Sequence, residues 1–361
     1  MTRKMYLLVF FSICQNFLLT ASAFDVPDYF CDKDEEVINP HVYNQSVSDQ
    51  GDLGICFIHS SLQTYTSLYE EIFGEKIEIS PLYAALHVNS LGYKRHSIAK
   101  GAITRDEMLE NVESGYYSYA LRDFKRFTPC SAKAAEAFLR KLTQETSIQE
   151  QIQKATDFLE LYDRQGKDLS IRALHEQYGF DENAALRFKN YLFTHGFERE
   201  KFHLHKKSYT KTLYKFFMNL GKCSEKKKLS YKIKSFTIPQ YSIEQVISKI
   251  DQSLTKEKNY PIGLSYRPKN WTNQSKAGGN HSSLIYGKTC RNNQLYYLIR
   301  NSWGGKSLKE MRAESEGDFT RELTASQDIH GDFWIKANLL KKAWAEDYGG
   351  IHVLNLKKRL W

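Results

Sequence analysis

The chain switches from a helical to a strand-like residue pattern near residue 229, and no other feature constrains the fold as strongly. Before that point apolar residues recur at helical spacing; after it come short alternating or fully apolar runs between turn clusters. Phe57, Ile58, Leu62, Tyr65 and Leu68 predict a helix opening at Cys56 and running to Gly74. Ser80 caps a helix over Pro81–Val88, and a third is expected over Thr104–Ser114, ended by Gly115. Ile148, Ile152, Ala155, Leu159 and Tyr162 form one stripe, while Ser170 and Asp181 cap helices that stop at Gly179 and Gly196. From 229 onward the expected strands are Tyr231–Phe236, Pro261–Tyr266, Ser283–Tyr286 and Tyr296–Ile299, with one helix over Ser242–Leu254. Helices first and strands afterwards predict an α+β protein with two lobes.

Composition narrows the class. The 361 residues are 41% hydrophobic and 26% charged, enough for sizeable cores and too apolar for bulk disorder. No internal repeat or low-complexity tract is present. Arg3 and Lys4, an apolar run over Met5–Leu19 and Ala21-Ser22-Ala23 have the form of a secretory signal peptide at 1–23. The run is short for a membrane anchor, so no transmembrane anchor is expected after cleavage. The expected location is the secretory pathway, extracellular or periplasmic, or a lysosome-like compartment in a eukaryote. Export also argues against reading the Ser170–Gly196 pair as a DNA-binding helix-turn-helix; nucleic acid is not an expected partner.

Six cysteines occur, and Cys31, Cys56, Cys130, Cys223 and Cys290 follow the signal segment. An odd number in an exported chain leaves at least one thiol unpaired, or paired to another chain. Cys56 sits where the loop Gln50-Gly51-Asp52-Leu53-Gly54-Ile55 becomes a helix. A helix N-terminus offers partial positive charge and free N–H groups, the setting that favours a thiolate. A nucleophilic thiol also needs a histidine, a group to orient that histidine, and donors for an oxyanion. With Cys56 free, Cys130 is expected to pair with Cys223 and Cys31 with Cys290.

Four segments carry a resemblance. Gln50-Gly51-x-x-Gly54-x-Cys56-Phe57, Gly278-Gly279-Asn280-His281, Asn301-Ser302-Trp303-Gly304 and Gly331-Asp332-Phe333-Trp334-Ile335 resemble, in order, the nucleophile, histidine, asparagine and aromatic-strand segments of papain-like cysteine peptidases. The resemblance covers roughly 40–130 and 223–360. It implies a helical left lobe (24–130), a β-rich right lobe (223–361) and a cleft between them. The block 131–222 is left as an inserted helical subdomain. It further implies Cys56 as nucleophile, His281 as acid/base, Asn301 as orienter of the imidazole, and Gln50 with the Cys56 N–H as oxyanion hole. Trp303 would shield the His–Asn bond and contribute to substrate binding. Gly101 would pair backbone to backbone with an extended substrate. No cofactor and no metal is implied, and a monomer is expected.

The departures are specific. Leu53 stands where the family has a disulfide cysteine, and Phe57 replaces its usual tryptophan. Cys56 and His281 are 225 residues apart, the excess matching the helical block. The turn from Gly304 to Gly331 is long, and only 32 residues separate the signal segment from Cys56, too few for the family's propeptide. His59 is expected in the core, and His203 and His205 in a solvated basic segment rather than at a metal. Residues 198–234 hold 12 Lys and Arg against 3 acidic residues, matching the whole formal charge of +9. Such a face could attract an anionic surface or an acidic partner, with a plain solvated face the rival reading.

The function implied is an exported thiol peptidase acting on protein or peptide substrates through a thioester. A transpeptidase using the same thioester, and a catalytically silent binding protein on the same fold, are the rival readings. The complete set of Gln50, Cys56, His281 and Asn301 argues against the silent one.

Overall fold

The computed structural model describes residues 31, 36–46, 54–92, 117–126, 128–129, 131–195, 207–220, 227–266, 281–302, 332–338, 340, 344 and 349–356. Helices fill the first part. After a short strand β1 (Val37–Ile38) and a one-turn helix α1 (Pro40–Tyr43) come α2 (Cys56–Phe73), α3 (Pro81–Gly92) and α4 (Tyr117–Phe124). Then follow α5 (Lys133–Thr143), α6 (Ile148–Gln165), α7 (Ile171–Tyr178), α8 (Glu182–Thr194) and α9 (Lys207–Leu220). The second part holds β2 (Tyr231–Thr237), α10 (Ile243–Ser253), β3 (Ile262–Tyr266), β4 (His281–Arg291), β5 (Gln294–Arg300), β6 (Asp332–Lys336) and β7 (Gly350–Leu356). This is the α+β order expected from the pattern switch.

The helix ends obey local chemistry. Gly74 closes α2 at φ +67°, a left-handed conformation that only glycine adopts without strain. Ser80 Oγ accepts from Tyr83 N at 3.0 Å, and Ser147, Ser170, Asp181 and Ser242 cap α6, α7, α8 and α10 in the same way. Two helix expectations change, and the helix expected over 104–114 lies outside the described residues. Helix α3 continues past Val88 to Gly92. Ile148 is exposed, because it occupies the first helical position of α6; the buried stripe is Ile152, Ala155, Phe158, Leu159 and Tyr162.

The strands form one antiparallel sheet in the order β2-β7-β3-β4-β5-β6, with β1 added to the far half of β4. β4 is long because three partners use it: β3 its first half, β5 most of its length, and β1 at Gly287 and Lys288. One face of the sheet is covered by the helices. Leu284 and Leu354 join a continuous apolar cluster that includes Leu68, Tyr83, Tyr117, Phe138, Phe158, Phe188 and Phe216. The other face packs on α10 and Trp344, through Ile285, Ile299, Val246 and Ile250.

The block 131–220 shares its core with α2–α4. Helix α9 packs on α3 and α5, and the Tyr214 ring stacks on Tyr83 at 5.3 Å. Tyr214 Oη also lies 3.0 Å from His87 Nδ1. Among the described residues a single free cysteine is found, Cys56, and one disulfide, Cys31–Cys290, which ties the N-terminal segment to β4. That bridge agrees with the expectation; Cys130 and Cys223 lie outside the described residues. No helix among those residues is long and apolar enough to cross a membrane.

Candidate active site

Two elements converge on the Cys56 thiol. Helix α2 begins at Cys56; Ile55 supplies no side-chain cap, and while Ile58 N donates to the Ile55 carbonyl at 2.9 Å, the Cys56 and Phe57 N–H groups are left to face the thiol. The first residues of β4 lie against this helix end. Ser60 Oγ, one turn along α2, is 3.0 Å from Ser282 Oγ and also donates to the Cys56 carbonyl at 2.9 Å. The thiol therefore sits at the seam between the helical half and the sheet. Burial pushes its pKa up, while backbone N–H groups of Ser282, Phe57 and Cys56 act against that rise.

His281 is the first residue of β4 and is 6% exposed. Its Nε2 lies 2.7 Å from Asn301 Oδ1, and Asn301 is just past the end of β5. Asn301 Oδ1 also accepts from Ser302 N at 2.7 Å. An amide oxygen only accepts, so Nε2 of His281 carries the hydrogen. The lone pair of the neutral ring is then on Nδ1. Burial pulls the imidazole down to about 4, and the bond to Asn301 works in the opposite direction. Buried alone, each charge is disfavoured: a thiolate without a cation, an imidazolium without an anion. A proton moved from thiol to imidazole creates both at once, and their attraction offsets part of the desolvation.

Tyr266 packs against the histidine. It is the cross-strand partner of His281 in the β3–β4 register, and its ring meets the imidazole edge-on at 5.4 Å and 87°. Its hydroxyl lies 3.0 Å from Ser283 Oγ, beside Ser282. Sequence reasoning placed Tyr266 in a strand and assigned it no role. Only the strand register, which sequence periodicity does not supply, puts it opposite His281.

A second polar group crosses the same seam. His352 on β7 lies 2.8 Å from Ser235 Oγ through Nδ1 and 3.2 Å from Ser265 Oγ through Nε2. The Tyr117 ring stacks over it at 5.4 Å, and Tyr117 Oη is 2.8 Å from Thr64 Oγ1 on α2. Burial lowers the His352 pKa to about 4.

The structure thus brings Cys56, His281 and Asn301 to one buried place. His59 is buried in the core, as expected. Gln50, Gly101, Trp303, His203 and His205 lie outside the described residues. Among the described residues no group of three or more His, Cys, Asp or Glu side chains is arranged to hold a metal ion.

No protein-family model matches the sequence, and a comparison with curated proteins finds no match. Among solved structures the chain is similar to the digestive procathepsin L 3 of Tenebrio molitor larval midgut, at 11% identity and a TM-score of 0.39, covering 91% of this chain and 73% of that one. It is similar to a structure that concerns antibody cross reactivity between the mite allergens Blo t 1 and Der p 1, at 12% identity and a TM-score of 0.38, covering 92% and 74%. It is also similar to the bromelain protease from Ananas comosus in complex with the E64 inhibitor, at 11% identity and a TM-score of 0.37, covering 89% and 99%.

Proposed function

We propose that this chain is an exported, papain-like cysteine peptidase that hydrolyses peptide bonds through a Cys56 thioester. The observation that carries the reading is the buried His281–Asn301 pair, 2.7 Å apart, with the N–H of Ser282, the residue after His281, directed at Cys56, the only free thiol among the described residues. The four sequence segments, in the order Gln50, Cys56, His281, Asn301, support the same assignment. The Cys31–Cys290 bridge supports export, since disulfides persist in oxidising compartments.

In this reading His281 Nδ1 takes the thiol proton. The Cys56 sulfur attacks the peptide carbonyl carbon, and the electron pair moves to oxygen. The Cys56 N–H and the Gln50 amide hold that oxyanion. Collapse expels the amine, which leaves with the proton from His281, and a thioester remains. Water, deprotonated by His281, attacks the thioester and releases the acid, restoring the thiol. Asn301 keeps the Nε2–H in place throughout, so Nδ1 always faces the reacting atoms. Trp303 would shelter this bond from water and line the substrate's path, and Gly101 would bond the substrate backbone.

Removing an oxyanion donor costs about 10²–10³ in rate, so Gln50→Ala should lower kcat by that factor with folding unchanged. A Gln50→Ala protein as fast as the parent would remove Gln50 from the mechanism.

A further inference from the structure

Arg300 stands directly before Asn301 and is buried to 2% exposure, a rare state for a guanidinium. Each of its three nitrogens has a partner. Nε lies 2.9 Å from Asp332 Oδ1 and Nη2 2.7 Å from Asp332 Oδ2, a two-point pair between cross-strand partners of β5 and β6. Nη1 donates to the carbonyls of Val42 and Gln45, the latter at 2.9 Å. The Tyr286 ring lies under the guanidinium at 5.1 Å, and its hydroxyl donates to Asp332. Gln45 Oε1 in turn accepts from Thr66 Oγ1 on α2 at 3.2 Å. One side chain therefore joins β5, β6 and the N-terminal segment, which is itself linked to the nucleophile helix.

Its position in the chain gives this hub a second consequence. The β5 ladder ends at Arg300, paired with Asp332 on one side and Leu284 on the other. Asn301 has left the strand, so no ladder bond fixes it. The last clamped atoms before the amide that holds His281 are those of Arg300.

We infer that Arg300 is a positioning residue for the reaction: by anchoring the end of β5 to Asp332, Val42 and Gln45, it fixes where Asn301 presents Oδ1 to His281. This rests on the proposed peptidase reading. Oδ1 accepting from Nε2–H stabilises the imidazolium, so a displaced Asn301 lowers the pH at which the imidazolium gives up its proton. A hub that only stabilised the fold would leave that pH unchanged.

The test uses the full chain, a peptide substrate and iodoacetamide. Arg300→Lys keeps a cation opposite Asp332 but cannot also reach two carbonyls. The double variant R300M/D332L removes both charges, so no unpaired ion is left buried if the lysine protein fails to fold. Expected is a loss in kcat/KM of about 10²-fold, the cost of a misplacement near 1 Å. The alkaline limb of the pH profile should move to lower pH, in the same direction as in Asn301→Ala. Combining Asn301→Ala with either variant should give a total loss no greater than that of Asn301→Ala alone. An unmoved alkaline limb in folded variants, or losses that multiply with Asn301→Ala, overturns the inference. A parent protein that neither cleaves the peptide nor is alkylated at Cys56 overturns the peptidase reading instead, and the inference with it.

Discussion

Nε2 of His281 donates to Oδ1 of Asn301 across 2.7 Å, with both side chains buried, and this fixes Nδ1 as the basic nitrogen of the ring. The amide is itself oriented by the Ser302 N–H, also at 2.7 Å. The ring cannot turn over without giving up a buried bond, so the tautomer is a property of the fold.

Thiol reactivity should reveal the dependence of Cys56 on His281. Burial raises the thiol, so without a cationic partner it ionises only above the ordinary thiol range. The parent is expected to react with iodoacetamide at neutral pH, as a thiolate beside an imidazolium. In His281→Ala the reaction should begin only in alkaline solution. Equal rates for the two proteins at pH 7 would mean that the imidazole does not activate the thiol.

Gly263→Ala should destabilise the seam between helices and sheet. A Cβ there would lie 2.2 Å from the Tyr117 ring, far inside contact distance. Tyr117 is clamped between Thr64 and His352, so it cannot simply swing away. Overpacking of this kind costs about 1–3 kcal/mol, readable as a lower midpoint in urea. An unchanged midpoint would show that Tyr117 yields easily.

Acid should weaken the fold in a definite window. His352 is held at about 4 in the folded protein against 6.5 when exposed. Between those values the unfolded chain holds a proton that the folded chain lacks, so stability falls as pH is lowered through the window. His87 and His281, also near 4, act in the same sense. Burial raises Glu71, Glu136 and Asp251, and these act in the opposite sense. Comparing the parent with His352→Gln cancels the shared groups. The variant should lose up to about 1.4 kcal/mol per pH unit of the parent's slope between pH 6 and 4. Parallel stability curves would contradict a neutral, buried His352.

Disulfide mapping without reductant should recover Cys31 joined to Cys290, which closes a separation of 259 residues. Cys290→Ser should lower stability by about 2–4 kcal/mol, in the range for a native bridge. A map joining Cys290 to Cys130 or Cys223 would contradict the observed pairing.

What could be read from the residues alone was local. Ser80, Ser170, Asp181 and Gly74 mark helix ends through bonds made within one turn, and those ends stand where their chemistry puts them. Cys56 at a helix start was legible for the same reason, whereas His281 and Asn301 stood out only through the resemblance of their segments to a known family. Tyr266, His352 and Arg300 were not. Each acquires its role from a strand neighbour: Tyr266 opposite His281, His352 opposite Ser235 and Gly263, Arg300 opposite Asp332. Pairing order and register are long-range facts, and the apolar pattern of β3, β5 and β7 is compatible with several of them. The true length of β4 was hidden similarly, since Gly287 and Lys288 are drawn into the strand by β1 and β5.

The most direct measurement is peptide turnover by the purified parent and by Cys56→Ala, each incubated in parallel with an epoxide thiol-peptidase inhibitor and analysed by intact mass. The predicted result is cleavage by the parent, one inhibitor adduct located on Cys56 with loss of activity, and neither cleavage nor adduct in a folded Cys56→Ala protein. Cleavage by Cys56→Ala at the parent's rate, or a folded parent that leaves peptides intact and takes no adduct, would contradict a thiol peptidase built on Cys56, His281 and Asn301.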